Sequence, residues 1–350
     1  MREKCVKRGM AKHLAHHDLL ENVFSRLDEW EKAGLFGGNG KLAVAISGGP
    51  DSMALGHIAW RWTRGKPYAL HVLSVDHGLR EDSAQEVADV GAYFTGLGVV
   101  HRILVWQHDG EAPQARLQEG ARNARYALMA KEMRGAGLKA LMVAHHRDDQ
   151  AETFLFRLAK GSGLDGLAGM VFVQDFGEGL TLLRPFLDVS KAELVAYCDA
   201  HDIPYVLDPS NAQKRFARVR LRAGMEVLER EGLTAKRLAQ TAARMARARN
   251  ALEEMSVRFY KECLILEEID CIVFNFNPLK TLPEEIVLRI VLQAIEKVGD
   301  AGGYGVRMEK AEALVHDLLK PEGFRKRTLG KAVFTRDDKD GVLIVAREGR

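Results

Sequence analysis

The chain of 350 residues is short of several features that would commit it to a class. No apolar run approaches the roughly 18 residues needed to cross a bilayer, so a membrane-spanning protein is not expected. Cysteine occurs four times, at Cys5, Cys198, Cys263 and Cys271, with no CxxC pair and no metal-ligand spacing. That pattern excludes a disulfide framework and suits free thiols in a reducing, cytoplasmic setting. The Walker pattern GxxxxGK(S/T) and the metalloprotease pattern HExxH are both missing, so neither a γ-phosphate-transferring P-loop enzyme nor a zincin is supported. The first twenty residues are basic but carry no apolar stretch, and read as a short tail leading into a helix from Leu19 to Trp30 rather than as a secretory leader. Neither internal repeats nor low-complexity tracts stand out.

What is present is ordinary globular material, 47% hydrophobic and 28% charged, with a net charge of only +3. The distribution says more than the sum. Between Asn211 and Asn250 there are eleven Lys or Arg against three Glu, and Phe216 is interleaved, a pattern that suits contact with a phosphate backbone as well as a solvated helix face.

The stretch KLAVAISGGPDSMAL, Lys41 to Leu55, organises the rest. Leu42 to Ile46 reads as a fully buried strand. It stops at Ser47-Gly48-Gly49-Pro50-Asp51-Ser52, and helical spacing follows over Asp51–Arg64. Two glycines allow a tight turn and close approach of a ligand, and proline suits the first helical turn. Backbone amides, two hydroxyls and a helix N-terminus therefore meet at one point, which makes an anion site for phosphate. A second glycine string, Gly161 to Gly166, matches GxGxxG but follows a helical segment, so it fails the context of a dinucleotide site. The connection from Gly161 to Met170 reads as mobile.

Strands are expected at Ala69–Val75, Val99–Val105 and Ala140–Ala144, with helices at Ser83–Leu97, Ala112–Arg134 and Asp148–Lys160. This alternation predicts a parallel sheet covered on both faces, with ligands beyond the carboxyl ends of its strands. Asp76 and His77 stand at one such end. At another, His145, His146, Asp148, Asp149 and Glu152 crowd together. Either the histidines and carboxylates form a transition-metal site, or the carboxylates hold Mg²⁺ or an ammonium group while a histidine handles protons. The neighbouring phosphate loop favours the second. Asp148 or Asp149 is also expected to cap its helix, with Glu152 in the box. The last ninety residues predict a small α+β module: a strand at Ile272–Phe276, helices at Pro283–Lys297 and Met308–Leu319, and a hairpin of Thr328–Phe334 with Val342–Ala346.

Together SGGPDS, VDHGLR, AHHRDDQAETFLFRLAKGSGLDGLAGM, LRPF and DPSN resemble, in order and spacing, the tRNA(Ile)-lysidine synthase family of the PP-loop ATP pyrophosphatase superfamily. The likeness is close from Lys41 to Arg222. Val219, Lys191 and Lys331 depart from the usual family residues. The resemblance implies an α/β, parallel-sheet PP-loop domain (adenine nucleotide alpha hydrolase-like) over 41–210, after an N-terminal tail and helix over 1–40. A basic helical tRNA-binding domain over 211–265 and a small α+β module over 266–350 complete the expectation. The implied reaction is ATP-dependent attachment of free lysine to C2 of the wobble cytidine of tRNA(Ile) bearing a CAU anticodon, with Mg²⁺ as cofactor. Nucleotide contacts then fall to Ser47, Gly48, Gly49, Pro50, Asp51, Ser52, Asp76 and His77. Asp149 and Glu152 take the lysine ammonium, His145 serves as base, and Asp51 and Asp148 ligate the metal, with Asp51, His145 and Asp149 as the catalytic set. Arg215, Arg218, Arg220, Arg222, Arg237 and Arg244 contact tRNA, and a homodimer is a possible assembly. Two alternatives carry different expectations: a PP-loop tRNA thiolase, which needs cysteines that the stretch from Val6 to Tyr197 lacks, and an ATP-binding RNA regulator without turnover.

Overall fold

A computed structural model describes residues 18–76, 78, 83–106, 117–207, 217–299, 306–321 and 323–349. The chain divides at Arg244/Met245 into two compact units. In the first, helix α1 (18–32) precedes β1 (Lys41–Ala45), α2 (Pro50–Thr63), β2 (Ala69–Asp76), α3 (Ser83–Gly96), β3 (Val100–Val105), α4 (Leu117–Ala136), β4 (Ala140–Met142) and α5 (Arg147–Leu158). A short α6 (Leu164–Leu167), the hairpin β5 (Val173–Gly177) and β6 (Leu180–Leu183), α7 (Lys191–Ala200) and α8 (Ala217–Arg230) follow. The sheet order is β3-β2-β1-β4-β6-β5, parallel except for β5.

The expected parallel sheet is therefore present, and β1 shows why its strand reads as an unbroken apolar run. Leu42, Val44 and Ile46 enter a core with Met53, Ile58, Phe94, Phe186 and Tyr197. Ala43, between them, enters the opposite core with Met129, Met133, Leu141 and Leu182. Alternate side chains thus fill two layers, and both must be apolar. Helix α2 is buried at all but three of its fourteen residues, as befits a helix apolar on every side.

Helices α2 and α7 are joined by a polar contact inside this core. His57 Nδ1 lies 2.8 Å from the Tyr197 hydroxyl. Burial, then the nearby His201 and Arg61 charges, pushes the His57 pKa from 6.5 down to about 4. The unfolded chain therefore takes up this proton first as the pH falls, so stability drops between pH 6.5 and 4 and not further below. We expect a loss of at most about 3 kcal/mol across that window. His57→Gln, which keeps a hydrogen-bonding group and removes the titration, should flatten the slope of denaturation midpoint against pH there. An unaltered slope would refute the assignment.

Several local expectations need correction. The pair β5–β6 has no counterpart in the sequence reading, because its exposed first strand shows no apolar pattern. The Gly161–Met170 connection is clasped rather than loose. The Gln150 amide donates to the Met170 carbonyl and accepts the Met170 N–H, both at 2.7 Å, and Arg157 donates to the Gly166 and Gly169 carbonyls.

The second unit is built on a sheet of order β7-β8-β11-β10-β9, antiparallel throughout. Its strands are β7 (Leu264–Glu268), β8 (Cys271–Asn275), β9 (Arg327–Leu329), β10 (Ala332–Asp337) and β11 (Val342–Arg347). Phe274, Phe334, Leu343 and Val345 pack with α11 (Glu284–Val298) and α12 (Met308–Leu318). Between β8 and α11 lies the short α10 (Phe276–Leu279). The segment expected as one hairpin arm, Thr328–Phe334, is two strands. Gly330 and Lys331, both at φ 58°, turn the chain between them. Two successive positive φ angles mark a tight hairpin turn in which glycine is the least strained residue. Helix α9 (Ala235–Cys263) contributes its first residues to the first unit and the remainder to the second.

Candidate active site

The SGGPDS turn follows β1 directly, and its shape is set by its own side chains. Gly48 sits at φ +84°, where residues with a Cβ are strained. The Ser52 hydroxyl accepts the Ser47 N–H at 3.1 Å and donates to the Gly49 carbonyl at 3.0 Å, with the Ser47 hydroxyl 3.3 Å away. Gly49 caps α2 without a side-chain acceptor, and Pro50 is the first helical residue. First-turn amides have no acceptor inside a helix, so they favour an anion at this end. The Gly48 carbonyl accepts the Val206 N–H at 2.9 Å. In a trans peptide the carbonyl and the following N–H point apart, so this bond turns the Gly49 amide to the side opposite Val206.

Against that turn lies the start of α5. An isolated bridge between His146 and Phe186 extends the β4–β6 pairing and carries the AHH and RPF motifs to one place. His146, 4% exposed, caps α5. Its Nδ1 accepts the Asp149 N–H at 3.4 Å, and its own N–H donates to Asp149 Oδ2 at 3.1 Å. The expected acidic cap is thus a histidine with Asp149 as its box partner, and Glu152 takes no part in that box. Asp148 caps a different helix: its Oδ2 accepts the Lys191 N–H of α7 at 3.0 Å. Ser190 and Glu193 form the capping box of α7.

Three carboxylates surround the His146 ring. Nε2 lies 3.5 Å from both Asp51 Oδ2 and Asp149 Oδ2, and Nδ1 lies 3.6 Å from Asp148 Oδ2. Burial alone would depress the His146 pKa. The Asp51 hydrogen bond and the charges of Asp149, Asp51 and Asp148 outweigh it and hold the pKa above the usual value. The long Asp149 N–H···Nδ1 bond can give way to Asp148 as the ring gains its second proton.

Asp51 Oδ1 is buried with no hydrogen-bond partner. Among the described residues no group of three or more His, Cys, Asp or Glu is arranged as a metal cage. Mg²⁺ needs only one or two carboxylates when phosphate and water supply the rest, and the unsatisfied Asp51 oxygen fits that role.

The structure thus brings Asp51, His146, Asp148 and Asp149 together. Glu152 is buried further along α5, one turn beyond Asp149. His145 makes a different contact: its Nδ1 accepts from Arg184 Nε at 3.3 Å, and Arg184 also donates to the Val171 carbonyl and to Gln174. Asp76 Oδ1, at the end of β2, accepts from the Gly78 N–H at 3.0 Å and the Ser83 hydroxyl at 2.6 Å. His77 and Arg215 lie outside the described residues, as do the side chains of Arg218, Arg220 and Arg222. Arg237 bonds the Gly232 carbonyl, and Arg244 is exposed on α9. Leu221, Met225 and Leu228 of α8 and Leu238 and Ala242 of α9 pack on Ala151, Phe154 and Leu155 of α5. The basic segment is thereby seated on the helix that carries the acidic cluster. Sequence reasoning missed Gln150, Arg184, Val206 and the seat of Lys191. Lys191 carried a local signal, the S-x-x-E box that starts α7 beside it, and Gln150 and Arg184 stand within quoted motifs that gave no contact for them; Val206 carried none.

A PP-loop domain model matches residues 19–229. The tRNA(Ile)-lysidine synthase of Methylobacterium nodulans is 42% identical over 328 residues, covering 90% of this chain and 92% of the relative. That of Bradyrhizobium diazoefficiens is 42% identical over 285 residues, covering 79% and 78%. Among solved structures, the U34-tRNA thiolase NcsA from Methanococcus maripaludis, with its 4Fe-4S cluster, superposes with a TM-score of 0.55 at 14% identity. It covers 67% of this chain and 80% of that one, a likeness of fold alone. On the match of the PP-loop domain and of relatives along nearly the whole length, the chain belongs to the tRNA(Ile)-lysidine synthase family of PP-loop proteins.

Proposed function

We propose that the protein uses ATP to join free lysine to C2 of the wobble cytidine of tRNA(Ile) with a CAU anticodon, as a cytoplasmic enzyme. The observation that carries this reading is the meeting of the SGGPDS turn with the His146 carboxylate cluster, Asp51 being common to both. The first feature suits a leaving pyrophosphate, and the second suits an incoming ammonium. Family membership supports the same substrates.

Cytosine O2 is a poor leaving group. It first attacks the α-phosphorus of ATP, forming an O–P bond as pyrophosphate departs. Amides of the Ser47–Ser52 turn hold that pyrophosphate, and Asp76 and His77 are assigned to nucleotide binding. Asp51 and Asp148 would hold Mg²⁺, which would supply charge neutralisation when bound. The lysine ε-amine then forms the C2–N bond, and AMP leaves carrying the original O2.

Asp149 and Glu152 orient the ammonium, and their charge disfavours its deprotonation, so a separate base is needed. We assign it to His145. Because Nδ1 accepts from Arg184, neutral His145 carries its proton on Nε2. It can take another only at Nδ1 by surrendering the Arg184 contact, which ties proton removal to the Arg184 guanidinium. Arg215, Arg218, Arg220, Arg222, Arg237 and Arg244 contact tRNA phosphates. The target base lies in a single-stranded loop and can enter the site without breaking a duplex.

Buried Cys198 argues against a thiolase. Its thiol donates to the Pro50 carbonyl, and burial, then the Asp51 charge, pushes its pKa up to about 12. Radiolabelled lysine with ATP and Mg²⁺ should enter tRNA(Ile) with a CAU anticodon and not elongator tRNA(Met), which shares that anticodon. Failure to label either would refute lysine ligation.

A further inference from the structure

The turn supplies amides to a leaving pyrophosphate but no side-chain cation for the phosphorus under attack. SGGPDS carries one charged side chain, and it is negative. In Walker-type loops a lysine within the loop meets the phosphates. Here a cation has to come from another element, and α7 offers one.

Lys191 is the first residue of α7 after its Ser190 cap. Its main-chain N–H is fixed on Asp148, and its ammonium lies 3.9 Å from Asp51 Oδ2. Among the described residues it is the one Lys or Arg in ion-pair range of the turn's only acidic side chain. A purely structural pair fits poorly. The contact is at the long limit and the Lys191 side chain is 44% exposed, where ion pairs contribute little. A cation in the first turn also opposes the helix dipole, which favours acids there. The neighbouring Arg147 and Arg184 are engaged with Asp188, Glu193, Val171, Gln174 and His145.

We propose that Lys191 is a catalytic residue that turns from Asp51 onto the α-phosphate of ATP. It neutralises charge on the non-bridging oxygens while the bond from cytosine O2 to phosphorus forms and the bond from phosphorus to the α–β bridging oxygen breaks. No proton moves in this step, and Lys191 stays an ammonium throughout. The flexible four-carbon stem allows the short swing. The inference rests on the adenylation reading given above.

The test is single-turnover pyrophosphate release by the full chain with ATP, Mg²⁺ and tRNA(Ile), in the absence of free lysine. Lys191→Met should lower the rate by about 10²–10³-fold with unchanged melting temperature, and Lys191→Arg should recover most of it. Comparing the two diastereomers of ATP carrying sulfur on the α-phosphate adds a readout that a structural role would not move. The ratio of their rates should change in Lys191→Met. A Met variant within about threefold of wild type, or a slow one with an unchanged diastereomer ratio, overturns the assignment of Lys191. Wild-type protein that releases no pyrophosphate with the tRNA would instead remove the adenylation reading and this proposal with it.

Discussion

Asparagine in place of Asp51 is expected to slow tRNA-dependent pyrophosphate release by about 10³-fold, the upper end for loss of one electrostatic group from a transition-state site. The reason is the number of tasks that meet on one carboxylate. Oδ2 faces both the His146 ring and the Lys191 ammonium, and Oδ1 is buried without a partner. Asparagine keeps the size and removes the charge, leaving three things unserved. The fold should barely notice. Asp51 lies in the first turn of α2, where an acid stabilises by about 0.3–1 kcal/mol, so the melting temperature should fall only slightly. The measurement is rapid-quench pyrophosphate release beside thermal denaturation. Near-normal release by Asp51→Asn would sink the role of Asp51. Slow release accompanied by a collapse of the fold would show Asp51 to be structural.

Glu152→Gln should separate the two halves of the reaction. Glu152 is 5% exposed, and a hydrogen bond from an ammonium to a buried carboxylate contributes about 1.5–3 kcal/mol. Its loss should raise the KM for lysine by about 10–100-fold, while pyrophosphate release in the absence of lysine stays near wild type. Glu152 is the cleaner probe of the pair. Asp149 also accepts the His146 N–H, so changing it uncaps α5 at about 0.5–2 kcal/mol. Equal losses in both half-reactions for Glu152→Gln would mean that this carboxylate shapes the site rather than receiving lysine.

The sequence was legible where one local rule decides the outcome. A buried strand reads as an apolar run because both its faces are covered, and Gly48 reads as a turn because its φ is positive. The acidic cluster was legible as a crowd but not as an arrangement. Histidine is not a usual helix cap, and His146 serves as one only because β4 and β6 hold it beside Asp51. Asp148 looks like an acid at the start of its own helix, yet its oxygen is used by the backbone of another helix 43 residues later. Contacts of that range leave no periodic trace. Gln150 shows the same limit: its amide closes a glycine-rich stretch that composition alone makes look loose. His145 and His146 are adjacent in sequence but make different contacts, one with Arg184 and the other with the carboxylates. No spacing rule separates two neighbours at a strand end.

The bond from the Val206 N–H to the Gly48 carbonyl bears on how small a working fragment can be. The sheet strands end at Leu183 and the last helix packed on α2 ends at Ala200, so a gene cut just after Ala200 would look generous for a nucleotide-binding piece. Such a piece would keep every strand of the first unit's sheet and lose, besides the core residue Ile203, the strut that aims the Gly49 amide. It should fold and still bind nucleotide weakly. The shortest excised fragment with the turn properly set has to include Val206, and a library of truncations scored for nucleotide binding would show its step between Ala200 and that residue.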